Sequence, residues 1–181
     1  VLSYNTANGY ISPDSANYLG LAERILSGHG LFVSTDGRPE YSEVLFAMWP
    51  VGYPSLIAFF AWSLGVSTFL ASKILNVVLL NVAVFVMYRA LGRVGLIAAG
   101  ILLTAGTLTN YTYTWSEAPF LTALIILCLF LARILNGRYI VTISVALILV
   151  GLLVAIFLFR YIGLFALAPT SLVSIYIYNK G

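Results

Sequence analysis

The run YIVTISVALILVGLLVAIFLF, residues 139–159, lies between Arg138 and Arg160 and carries no charge. As a helix it measures about 30 Å, the thickness of a bilayer's hydrocarbon core. No water-facing helix can be apolar all round, so this stretch belongs inside a membrane or a very large core. Comparable runs occur at about 67–88, 95–114, 118–135 and 161–179, separated by short charged clusters. The pattern predicts an all-α, polytopic membrane bundle of about five transmembrane helices, with Pro169 kinking the last.

Composition supports this. The chain is 61% hydrophobic and 8% charged, against about 45–50% apolar and about 25% charged for a soluble domain. So few charges cannot cover a water-exposed surface. The net charge of +3 comes from basic residues scattered singly or in loose pairs between apolar runs, not gathered in a patch. That is the arrangement of topology-setting charges, and it excludes nucleic acid as a partner. The single cysteine, Cys128, excludes a disulfide within the chain. The chain starts without Met in a polar stretch and stops just after an apolar run, as expected of a piece of a longer membrane protein.

Residues 1–66 read as an extracytoplasmic loop with two juxtamembrane helices, and 67–181 as the transmembrane bundle. Residues 1–43 hold five of the six acids, Asp14, Glu23, Asp36, Glu40 and Glu43. Ser12-Pro13-Asp14 has the form of a helix start, with Ser12 or Asp14 as the cap. Ala16, Leu19, Ala22, Ile25 and Leu26 then recur at helical spacing, up to a stop at Gly28-His29-Gly30. Residues 34–43 are turn-rich loop. Residues 54–64, rich in Phe and Trp, reach only about 16 Å as a helix, so they are expected to lie along the interface.

With five spans, Arg89, Arg93, Arg133, Arg138 and Lys180 share one side with no acid. All six acids lie opposite, with Arg24, Arg38, Lys73 and Arg160. The positive-inside rule makes the acid-free side cytoplasmic and puts residues 1–66 outside; the expected location is the plasma (inner) membrane. Should residues 52–65 cross instead, the N-terminal region moves to the cytoplasm.

On the five-span reading Asp14, Glu117 and Arg160 gather at one face. A carboxylate can accept a proton from a hydroxyl, and a cation can stabilise a departing phosphate. That combination suits transfer from a charged, lipid-linked substrate.

The stretch from Asp14-Ser15 through Tyr18, Ala22 and Leu26 to Gly28 resembles the first extracytoplasmic loop of the GT-C membrane glycosyltransferases. These include the protein mannosyltransferase and aminoarabinose transferase group (glycosyltransferase family 39-like). Trp49-Pro50-Val51-Gly52-Tyr53-Pro54 is similar to the Pro-rich approach to that family's second juxtamembrane helix. Ser116-Glu117 before an apolar run, and Arg160-Tyr161-Ile162-Gly163 after one, match its layout. The resemblance covers nearly the whole chain. It departs at Ser15, where the family usually has a second acid, and at Trp49, where many relatives have Lys or Pro.

The resemblance implies an inverting transferase that takes a sugar from a polyprenyl-phosphate-linked donor at the outer face. The acceptor would be a lipid, glycan or protein. Asp14 would be the catalytic base. Glu117, Arg160, Tyr18, Lys73 and Tyr53 are the substrate-binding candidates, with Arg160 on the carrier phosphate. No cofactor is implied, and a divalent metal is not indicated. Family helices before residue 1 and after residue 181 would complete the cavity, so the piece alone is expected to be inactive.

Each residue also has a plainer role. Asp14 can cap a helix, and Glu117 and Arg160 can be ordinary loop charges. Lys73 can snorkel. Tyr111, Tyr113 and Trp115 fit an interfacial aromatic belt, and Asn76 and Asn81 fit helix packing. His29 between two glycines fits a turn, and Glu40 and Glu43 fit a solvated loop. The rival functions are a membrane transporter and a non-catalytic scaffold. Transporters carry ionisable or broken-helix sites near mid-membrane, whereas here the second to fifth spans have uncharged middles.

Overall fold

The computed structural model describes residues 11–34, 43–46, 49–137 and 142–178. Asp36, Arg38, Glu40, Arg138 and Lys180 lie outside these residues.

The first helix, α1 (Pro13–Leu26), begins as its sequence dictates. Ser12 is the cap: its Oγ accepts from the Ser15 backbone N–H at 3.1 Å, and Pro13 fills the first helical position, where no donor is needed. Asp14 is therefore not the cap but sits in the first turn. The helix buries Ser15, Tyr18, Leu19, Leu21 and Ala22 on one face and ends before Gly28, whose φ is 81°.

Beyond it, β1 (Phe32–Ser34) and β2 (Glu43–Leu45) form a short antiparallel pair, with Phe32 opposite Leu45. Only the end residues of the turn-rich stretch 34–43 fall in this pair, and residues 35–42 lie outside the described residues. Three-residue strands are too short to show an alternation of period two.

Next comes α2 (Gly52–Leu64). Its 13 residues reach about 20 Å, short of the roughly 30 Å hydrocarbon core. Tyr53, Ile57 and Ala61, one turn apart, pack with Tyr18, Ala22, Ala71 and Leu75 in one core. Phe59 and Trp62 point the other way, 57% and 73% exposed.

Among the described residues, two helices are long and apolar enough to cross a membrane: α3 (Thr68–Leu91, 24 residues) and α6 (Glu117–Leu135, 19 residues). Between them lies a bent pair, α4 (Arg93–Ala99) with the 3-10 segment Gly100–Leu103, then α5 (Ala105–Thr112), turned by 73°. The straight span expected at 95–114 is thus broken at Thr104. Thr104 is extended, and its hydroxyl donates to the Ile101 carbonyl at 2.9 Å, satisfying the acceptor that the break exposes.

The segments expected to span at 139–159 and 161–179 form shorter apolar helices. They are α7 (Ile143–Phe159, 17 residues), and the 3-10 segment Tyr161–Ala166 leading into α8 (Leu167–Tyr178). Pro169 does not kink a helix interior. It sits in the first turn of α8, where its missing N–H leaves no bond unmade, and the irregularity lies upstream in the 3-10 turn. Apart from the strand pair the described chain is helical. Helix α3 packs against α2, α4 and α6, and α6 packs against α7 and α8.

Candidate functional site

A polar shelf on α3 sets the site's position. Ser72, Lys73 and Asn76 lie within one turn and face the link between α5 and α6. Asn76 is 1% exposed. Its Nδ2 donates to the Tyr111 and Tyr113 carbonyls at 3.0 and 2.8 Å, and its Oδ1 accepts from the Tyr53 hydroxyl at 2.8 Å. Lys73 Nζ donates to the Thr112 carbonyl at 2.6 Å, and Ser72 Oγ bonds Thr114 Oγ1 at 2.9 Å. Carbonyls left over where α5 ends are thereby paired. The link that follows carries Trp115 and Ser116 into Glu117, the first residue of α6.

That link meets the start of α1. Trp115 Nε1 donates to Ser12 Oγ at 2.7 Å, and the Tyr18 hydroxyl donates to Ser116 Oγ at 3.0 Å, bonds that join positions about a hundred residues apart. The Tyr113 and Trp115 rings stack at 4.4 Å.

The third contributor is the end of α7. Arg160 leaves the helix in an extended conformation, φ −151° and ψ 133°, and its guanidinium pairs with the Glu117 carboxylate. The 3-10 segment then folds back tightly. A Cβ at Gly163 would lie 2.7 Å from the Ile156 carbonyl oxygen, and one at Gly52 would lie 2.7 Å from that of Leu158. No larger residue fits at either place without moving backbone, so both glycines hold the end of α7 against its neighbours.

The result is a cleft of about 270 Å³ lined by Asp14, Tyr18, Trp49, Glu117, Arg160 and Tyr161, among others. Four candidates, Asp14, Tyr18, Glu117 and Arg160, therefore share one cavity. Two others do not line it. Tyr53 is fully buried behind Tyr18, with ring centroids 5.5 Å apart and edge to face. Lys73 is engaged with the 112–114 link and lies 5.0 Å from the Phe69 ring.

Burial raises the Tyr18 phenol above its ordinary pKa of 10.0, opposed by the Ser116 hydrogen bond and reinforced by Glu117. Burial raises Tyr53 as well. Both phenols stay protonated at neutral pH, so Tyr18 is not a base; its proton is held by Ser116.

Sequence reasoning left three participants out. In the sequence Ser116 stands out only as the residue before Glu117, yet it accepts from Tyr18. Trp115 looked like belt, yet it is tied to the α1 cap. Asn76 was assigned to packing, which is correct, but its partners are the backbone that aims the site. The one legible signal was a buried-type amide in an apolar run, which must find several partners. Asn81 donates only within its own helix, to the Val77 carbonyl at 2.8 Å. Among the described residues, no group of three His, Cys, Asp or Glu is placed to hold a metal ion.

Compared with protein-family models, curated proteins and solved structures, the chain matches none of them.

Proposed function

We propose that the chain is part of a membrane glycosyltransferase that moves a sugar from a polyprenyl-phosphate carrier to an acceptor hydroxyl at the outer face. The observation that carries this reading is the shared cleft, where a carboxylate, a phenol and a guanidinium meet at one end of an apolar helical body. The five helical segments after residue 67 act together as a multi-pass bundle, with α1 and α2 beside its outer surface.

In the proposed reaction the acceptor oxygen attacks the anomeric carbon from the face opposite the phosphate. The carbon–oxygen bond to phosphate breaks with inversion, and its electron pair leaves on the phosphate. Asp14 takes the acceptor's proton. Arg160 stabilises the phosphate oxygens as charge develops, and a leaving phosphate needs no protonation. Glu117 holds Arg160 in place, and Tyr18, whose proton goes to Ser116, accepts from an acceptor or sugar hydroxyl through its oxygen.

The transporter reading draws on the bent pair α4–α5, since broken helices often line transport sites. The Ile101 carbonyl at that break already accepts from Thr104 N and Oγ1, and no ionisable side chain lies between residues 94 and 110. The break thus offers less for a substrate to bind than the cleft does.

The experiment is binding of polyprenyl phosphate to the detergent-purified protein. Replacing Arg160 by Gln removes a charge-assisted contact worth about 1.5–3 kcal/mol, so affinity should fall about tenfold or more. Equal affinity in the wild type and Arg160→Gln overturns the assignment of Arg160.

A further inference from the structure

A second cavity lies at the opposite end of the same two helices. It is a groove of about 250 Å³ between the last turns of α3 and α6, walled by Phe85, Val86, Ile126 and Phe130 and edged by Arg89 and Arg133. Arg133 Nη2 donates to the Arg89 carbonyl at 3.0 Å, which ties the two helix ends together. Arg133 is 16 residues along α6 from Glu117, about 24 Å at the helical rise, so the groove is nearly a hydrocarbon thickness away from the cleft.

Charge is sharply divided between the two ends. Asp14 and Glu117 line the cleft, and Glu23 accepts from Thr68 at the start of α3 at 3.0 Å. Among the described residues no acid lines the groove. The carbonyl ends of α3 and α6 carry only partial negative charge, about half a unit each. Two full guanidinium charges outweigh them. Apolar walls running along the helices, with two planar cations at the rim, match a molecule with hydrocarbon tails and an anionic phosphate head.

We infer that this groove binds one anionic glycerophospholipid, its phosphate between Arg89 and Arg133 and an acyl chain along Phe85 and Phe130. Basic pockets between membrane helices on the side poor in acids are suited to such lipids. The inference does not depend on what the cleft does. The plainer role for the two arginines, capping helix ends and snorkelling, gives no preference between lipids of different charge.

The test is native mass spectrometry of the full chain released from detergent containing equal phosphatidylglycerol and phosphatidylcholine. The expected result is one retained phosphatidylglycerol, favoured at least several-fold over phosphatidylcholine. That preference should vanish in the double variant Arg89→Gln/Arg133→Gln and survive in Arg89→Lys/Arg133→Lys. Equal retention of the two lipids by the wild type overturns the inference without any variant, so the test holds even if the double variant fails to insert. A preference that survives the double Gln variant but disappears in Arg160→Gln also overturns it, because the lipid would then sit in the cleft. Displacement of phosphatidylglycerol by an equal amount of polyprenyl phosphate assigns the groove to the carrier and overturns the choice of lipid.

Discussion

Glu117, the first residue of α6, and Arg160, the residue that ends α7, form an ion pair across 43 positions of sequence. Both are about one-third exposed, with side-chain exposures of 36% for Arg160 and 32% for Glu117. Solvent screens a pair in that setting, and its contribution to stability is about 0–1 kcal/mol. The pair therefore does more for geometry than for the fold: it fixes a cation at the cleft wall beside Asp14 and Tyr18. Replacing Glu117 by Gln should shift the melting temperature little while weakening polyprenyl-phosphate binding several-fold, since Arg160 loses its anchor. A large drop in melting temperature with normal binding would mean that the pair is structural.

The Asn76 network makes the opposite prediction. Asn76→Ala leaves the buried Tyr53 hydroxyl and the Tyr111 and Tyr113 carbonyls without this partner. The expected cost is about 2–4 kcal/mol. Asn81→Ala removes only one exposed bond within a helix and should cost less than about 0.5 kcal/mol. Denaturant unfolding of both variants in the same detergent checks the contrast.

Gly163→Ala drives a methyl group against Ile156, 2.7 Å from both its Cγ2 and its carbonyl oxygen. Overpacking of this kind costs about 1–3 kcal/mol. Gly163 N also donates to the Arg160 carbonyl at 2.8 Å, so the displaced turn should carry Arg160 with it and reduce carrier binding. Trimming the side chain with Ile156→Ala should rescue little, because the backbone oxygen remains. Melting curves and carrier binding of the single and double variants decide this.

Alkaline pH should destabilise the protein through Tyr18 and Tyr53. Each is raised in the folded chain from an ordinary value of 10.0. Above that value the unfolded chain loses the proton first, so the folded state binds more protons and stability falls as pH rises. Their stabilising contribution is complete below the unfolded value and is lost as pH climbs through the folded one. Stability should therefore be insensitive to these two groups between about pH 7 and 9 and decline above about 10. Tyr18→Phe should flatten that decline. Melting temperature against pH, with phenolate absorbance followed alongside, measures it.

Much of this arrangement is legible in the sequence. Ser12-Pro13-Asp14 fixes where α1 starts, because capping is local chemistry. The apolar runs show where the long helices lie, because their charges sit near the ends and leave the middles uncharged. Asp14, Glu117 and Arg160 could be brought to one end by counting alternating segments. The breaks were less legible. Residues 95–114 are apolar enough for one helix, and the turn at Thr104 depends on a side-chain bond to Ile101 that hydropathy does not register. The locations of Lys73 and Tyr53 were also hidden. Each is set by partners far along the chain, at 112–114 and at Asn76, and nothing in their own neighbourhoods specifies those partners.

The most direct measurement of the central claim is sugar transfer by the full-length protein in liposomes, supplied with labelled polyprenyl-phosphate sugars and extracted cell-envelope acceptors. Wild type is compared with Asp14→Asn. Losing a general base costs about 10²–10⁴-fold in rate. The account predicts transfer by the wild type, a loss of at least 100-fold in the variant, and equal binding of polyprenyl phosphate by both. Transfer at the same rate by Asp14→Asn, or no donor consumed by the wild type, would contradict it.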